Sequence, residues 1–124
     1  MGKIRSHEDL EVFQLAFKTS MEIFELSKTF PADEKFSLTD QIRRSSRSVS
    51  GNIAEGFRKR RYPKSFVAKL IDAEGEAAET QVWLLYAVSC KYIDSETRLR
   101  LNSIYDMILG KLVNMGMNPE KWTY

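Results

Sequence analysis

At 124 residues, 43% hydrophobic and 29% charged, the chain fits one domain spanning 1–124, able to bury roughly two thirds of its unfolded surface without metal or disulfide support. One cysteine, Cys90, and one histidine, His7, exclude an intrachain disulfide, a zinc site of Cys and His, and paired-cysteine redox chemistry. The net charge is only +2, but between Arg43 and Lys64 eight basic residues stand against the single acid Glu55, and the remainder is net acidic; such polarity suits a polyanion or an acidic protein surface as partner.

Apolar periodicity is helical throughout, and no stretch alternates as a half-buried strand does. The first predicted helix runs from about residue 8 to 30, with Ser6 and Asp9 spaced as a capping box and Pro31 as its stop. It carries two apolar stripes, one with Leu10, Phe13, Phe17, Met21 and Phe24, the other with Val12, Ala16 and Ile23. The second, 38–57, begins after Ser37, which pairs in the same spacing with Asp40. Its Leu38, Ile42, Val49, Ile53 and Phe57 share one side, with the arginines opposite and Ser45, Ser46 and Ser50 between.

Pro63 suits the first turn of a third helix, 64–92, which again has two apolar stripes. Phe66, Leu70, Ala73, Ala77, Leu84 and Val88 form one; Val67, Ile71, Ala78, Val82 and Leu85 form the other. Ser95 is the expected cap of a fourth helix, 96–115, stopped at Gly116. The tail from Met117 is expected to be poorly ordered, with Trp122 as the residue able to dock. Four long helices with short links read as an all-α, antiparallel up-down four-helix bundle. The second stripes on the first and third helices exceed what a lone bundle needs, so homo-oligomer contacts are expected, with a partner-protein groove as the alternative.

Arg43, Arg47 and Arg58 make a charged helical face that Lys59, Arg60, Arg61 and Lys64 extend into a loop. Guanidinium forks and ammonium groups so gathered suit phosphate, and neutralising several phosphates gains affinity by counterion release. These seven residues are the nucleic-acid-binding candidates, with Tyr62 placed to stack on an unpaired base. Pairing of some arginines with Glu55, Glu74, Glu76 or Glu79, within or between subunits, is the structural alternative. Gln41, Arg44, Asn52 and Glu55 read as a structural polar cluster, with Asn52 and Glu55 bonded to helix ends or to Gln41 and Arg44, and Gly56 as a point of close packing.

Glu55 has no neighbouring acid or histidine to make a catalytic pair, and Asp72, Glu74, Glu76 and Glu79 lack the Glu-x-x-His pattern of di-iron bundles. No catalytic residue, metal site or cofactor is expected. His7 reads as exposed or capping, and Cys90 as a buried small hydrophobe. No apolar run approaches the roughly 20 residues that cross a bilayer, and MGKIRSHEDLE turns acidic where a signal peptide turns apolar; a cytoplasmic protein without a membrane partner is expected.

Asp9-Leu-Glu-Val-Phe-Gln, Phe30-Pro31 with Glu34, and Gln41-Ile-Arg-Arg-Ser-Ser-Arg-Ser-Val-Ser-Gly-Asn-Ile-Ala-Glu-Gly56 resemble the small four-helix bundle proteins encoded in intervening sequences of 23S ribosomal RNA genes. The resemblance continues through Phe66, Ala73-Glu-Gly-Glu-Ala-Ala-Glu79 and Tyr92-Ile93, spanning about residues 8 to 113. It implies a ring-like homopentamer with a basic surface, and its genetic setting favours RNA over DNA as partner. The family is also similar in fold to the accessory proteins of diversity-generating retroelements, which implies a second role: a structural scaffold recruiting a protein partner such as a reverse transcriptase.

Overall fold

Four α-helices make up the computed structural model, which describes residues 4–122: α1 (Glu11–Ser27), α2 (Leu38–Arg58), α3 (Pro63–Ser89) and α4 (Ser95–Met117). Single 3-10 turns lie at His7–Asp9, Ala32–Glu34 and Pro119–Lys121, and no strand occurs among the described residues. Consecutive helices are neighbours, and α4 returns to α1, so the helices stand in a square around one core. Glu11 meets Lys111 and Glu22 meets Arg100 across α1 and α4. Across α2 and α3, Ser45 meets Thr80 and Glu55 meets Lys69.

On α2 the expected stripe of Leu38, Ile42, Val49, Ile53 and Phe57 is buried, and α4 adds Leu101, Tyr105, Ile108, Leu112 and Met115 to the same core. Full burial of each large apolar side chain contributes about 1.5–3 kcal/mol. On α1 and α3 only one of the two stripes is fully buried. Val12, Ala16 and Ile23 are inside with Leu10, while Phe17 and Met21 are exposed; Phe66, Leu70, Ala73, Ala77 and Leu84 are inside with Ala87, which takes the place expected for the partly buried Val88, while Ile71, Val82 and Leu85 are exposed.

Helix ends differ from expectation for local chemical reasons. The Ser6–Asp9 capping box is present but closes the 3-10 turn, because Leu10 is extended (φ −74°, ψ 127°) and α1 starts only at Glu11. Ser37 does not cap α2. Its hydroxyl donates to Glu34 Oε1 (2.5 Å), and that same oxygen accepts the Leu38 N–H (3.2 Å), so Glu34 reaches across to cap the helix. α3 ends at Ser89, where Lys91 takes a left-handed φ of 63°; Tyr92 N–H bonds Ala87 O and Lys91 N–H bonds Val88 O, the paired bonds of a Schellman motif.

Asp94, not Ser95, caps α4, accepting the Thr97 N–H at 2.7 Å. The helix runs through Gly116 to Met117, and that glycine has no positive φ to turn the chain. Instead of a loose tail, Pro119–Lys121 form a 3-10 turn and Trp122 packs against the core. Thr123 and Tyr124 lie outside the described residues. Cys90 is exposed, not buried, because it is the C-cap of α3 beyond the last core position, Ala87.

Candidate nucleic-acid interface

Helical geometry brings Arg43, Arg47 and Arg58 within about 60° of one another around α2, opposite its buried stripe. The first two sit over a phenyl ring of α1: Arg43 Cζ lies 4.7 Å and Arg47 Cζ 5.3 Å from the Phe24 centroid, and Lys28 Nζ lies 4.9 Å away. Three cations thus share one ring, whose quadrupole attracts them without neutralising them. Arg43 is further fixed by Nε donating to Ser27 Oγ at 2.7 Å and is partly buried; Arg47 is exposed.

The α2–α3 link is a tight basic turn, Tyr62 N–H bonding Lys59 O at 2.9 Å. Arg58, Lys59, Arg61 and Tyr62 line one shallow hollow there, and Lys64 is exposed at the start of α3. Among the described residues, Arg43, Arg47, Arg58, Lys59, Arg61 and Lys64 have no carboxylate within 4.0 Å. Arg60 differs: its guanidinium lies 3.9 Å from the Phe57 centroid and donates to Phe57 O at 3.0 Å. Tyr62 is 60% exposed, so its ring is open to stacking. The first turn of α3 holds no acid, leaving the positive end of its dipole uncancelled beside these side chains.

The polar cluster is not gathered into one site. Glu55 pairs with Lys69 of α3 at 2.9 Å, which holds its carboxyl below the usual range, and Asn52 donates to Ser48 O at 2.9 Å. Arg44 and Gln41 are exposed and bond neither of them. Arg44 has no carboxylate within 4.0 Å among the described residues but acts at longer range on Glu76, whose carboxyl is pushed up by burial first and by Glu79 second. Gly56 is a point of close approach: a Cβ there would meet Lys69 Cβ at 3.1 Å.

No group of three or more His, Cys, Asp or Glu among the described residues is arranged to hold a metal. His7 is partly buried, edge-on to Phe13 at 4.8 Å. Sequence reasoning missed two features. Phe24 was seen only as an apolar position, although its spacing opposite Arg43 and Arg47 depends on how α1 and α2 dock. Glu34 was seen only as part of a motif; it holds three bonds, the third from Tyr92 Oη at 2.8 Å, which joins the α1–α2 link to the α3–α4 link.

Residues 8–114 match the family model described as 23S rRNA-intervening sequence protein. The chain belongs to that family. Among solved structures, a protein of unknown function from the S23 ribosomal protein family of Bacteroides thetaiotaomicron is similar in fold. It is 28% identical with a TM-score of 0.76, the match covering 85% of this chain and 97% of that one. No curated protein matches the chain. No helix among the described residues of this intervening-sequence protein is long and apolar enough to cross a membrane.

Proposed function

We propose that this intervening-sequence protein is a non-enzymatic, cytoplasmic, nucleic-acid-binding bundle that grips phosphates through its α2–α3 link, RNA in preference to DNA. One observation carries the reading: Arg58, Lys59, Arg61 and Lys64 are exposed together, with no carboxylate within 4.0 Å among the described residues. Cations left without internal partners remain available to displace counterions from a phosphate backbone. Arg47 and Arg43 extend the positive field along α2, and Arg60 supports the turn through Phe57. The family description supports RNA, since it ties these proteins to 23S rRNA genes. Glu55, held ionised by Lys69, is a poor proton donor at neutral pH, in keeping with a binding role.

The reading includes an antiparallel up-down bundle assembled into a ring-like homo-oligomer, a pentamer by family resemblance. The opposed order of Glu11–Lys111 with Glu22–Arg100, and of Ser45–Thr80 with Glu55–Lys69, supports the first part. For the second, Ala68, Ile71, Gly75, Ala78, Val82 and Leu85 lie in the alternating three- and four-residue spacing of a coiled-coil seam along the outer face of α3, flanked by Asp72, Glu74 and Glu79. A second copy offers complementary chemistry in the exposed Phe17 and Met21 beside the cations on Phe24. Such head-to-tail contacts form a ring when the rotation closes.

The same seam favours the second reading, a scaffold that recruits a protein partner such as a reverse transcriptase. Fluorescence anisotropy with a structured ribosomal RNA fragment and a duplex DNA tests the first reading: tighter binding to the RNA is expected, and no binding to either at low salt would refute it.

A further inference from the structure

At the end of the bundle away from the basic link, the α1–α2 link, the start of α2 and the end of α3 border an open hollow of about 550 Å³. Its walls are aromatic: Phe36, 85% exposed, and Trp83 with Tyr86, whose centroids are 5.7 Å apart at 40°. No Lys or Arg lines it, while the Glu34 carboxylate does. Outside the lining, the Glu79 carboxylate accepts from Trp83 Nε1 at 3.2 Å. Among the described residues neither acid has an ammonium or guanidinium within 4.0 Å.

Three aromatic side chains and the Glu34 carboxylate, which has no countercharge, line the hollow, and this is the chemistry of a cation cage. Phe36 already attracts one cation, Lys35 Nζ, 5.4 Å from its centroid. A nucleobase fits less well, since the tilted Trp83–Tyr86 pair leaves no parallel slot between its rings, and the acids repel a phosphate. We propose that this hollow binds an organic cation on an apolar stem, an alkylammonium or guanidinium group, supplied either as a free polyamine or as a protein side chain.

In the full chain carrying Trp122→Phe, Trp83 is the sole tryptophan and its emission reports on the hollow. Titration with spermidine and, separately, with N-acetylarginine amide is expected to change that emission saturably. Phe36→Ala and Tyr86→Ala, both at exposed positions, are each expected to weaken the response about two- to fivefold with unchanged far-ultraviolet circular dichroism. A response to spermidine alone identifies a free polyamine as the source, and a response to the arginine amide alone identifies a protein side chain; either supports the site. No saturable change with either cation overturns the proposal, as does an undiminished response in both variants. Saturation by AMP with none by the cations also overturns it and makes the hollow a base site.

Discussion

Gly51 and Gly56 lie on the same helix, and exchanging each for alanine isolates the packing of α2 on α3. Alanine in place of a glycine in a helix interior stabilises by about 1 kcal/mol through backbone entropy. At Gly51 nothing lies within 4 Å of the added Cβ, so Gly51→Ala is expected to deliver most of that gain. At Gly56 the new Cβ meets Lys69 Cβ at 3.1 Å, Phe66 O at 3.5 Å and Leu70 Cδ2 at 3.7 Å. Lys69 Cβ is anchored to the α3 backbone, so relief requires the helices to part by a few tenths of an ångström and strains the Glu55–Lys69 pair. Overpacking of this kind costs about 1–3 kcal/mol. Gly56→Ala is therefore expected to fall about 1–3 kcal/mol below Gly51→Ala, ending between neutral and about 2 kcal/mol destabilised. Urea unfolding followed by circular dichroism, at matched protein concentration, reads the difference; equal gains at both positions would refute the close approach of α2 and α3.

Tyr105 is fully buried and its hydroxyl has no hydrogen-bond partner among the described residues, so Tyr105→Phe is expected to stabilise the fold by about 1 kcal/mol in the same urea assay; a loss of that size would reveal a hidden partner. The Tyr92 phenol, bonded to the Glu34 carboxylate, has its pKa pushed up from 10.0 to about 12, and the protonated form is the bonded one. Its contribution to stability is thus present below pH 10 and lost as pH rises through 12. Glu34 is shifted the other way, below its ordinary 4.5, first by Ser37 and then by Tyr92, so its contribution is lost only as pH falls through the lowered value. A Tyr92→Phe variant with an unchanged alkaline stability profile would contradict that bond. For the proposed homo-oligomer, Val82→Glu with Leu85→Glu places charge at exposed seam positions and is expected to lower the mass in light scattering toward that of one chain without loss of helix; an unchanged mass would remove α3 from the proposed interface.

What could be read from the residues was governed by which contacts are local. Pro63 marked the start of α3 within one residue, and the α2 stripe of Ile42, Val49, Ile53 and Phe57 predicted its buried side, because both depend only on the helix itself. The two-stripe helices were different. Periodicity shows that Ile71, Val82 and Leu85 align, but whether they meet a neighbour depends on where α2 and α4 sit, and in the square arrangement small residues such as Ala73, Ala77 and Ala87 take the inner face.

The cap at Glu34 and the left-handed Lys91 were hidden for a related reason. A glutamate reaching forward across a 3-10 turn competes with the nearer Ser37, and a lysine at a position that favours glycine carries no sequence signal. For the candidate interface, the cluster of basic residues was legible as charge, but their lack of carboxylate partners was not. Glu55 stood in the same segment as their only neighbouring acid, and it is Lys69, from another helix, that occupies it.

The most direct test of the phosphate grip is the salt dependence of RNA affinity for the native chain and for a variant with Arg58, Arg61 and Lys64 changed to alanine. Each cation lost from a phosphate contact lowers the log–log slope by about 0.7–0.9. The expected result is linear salt dependence in the native chain and a slope reduced by about 2–3 in the variant. An unchanged slope and affinity in the variant would contradict the assignment of the α2–α3 link as the nucleic-acid-binding surface.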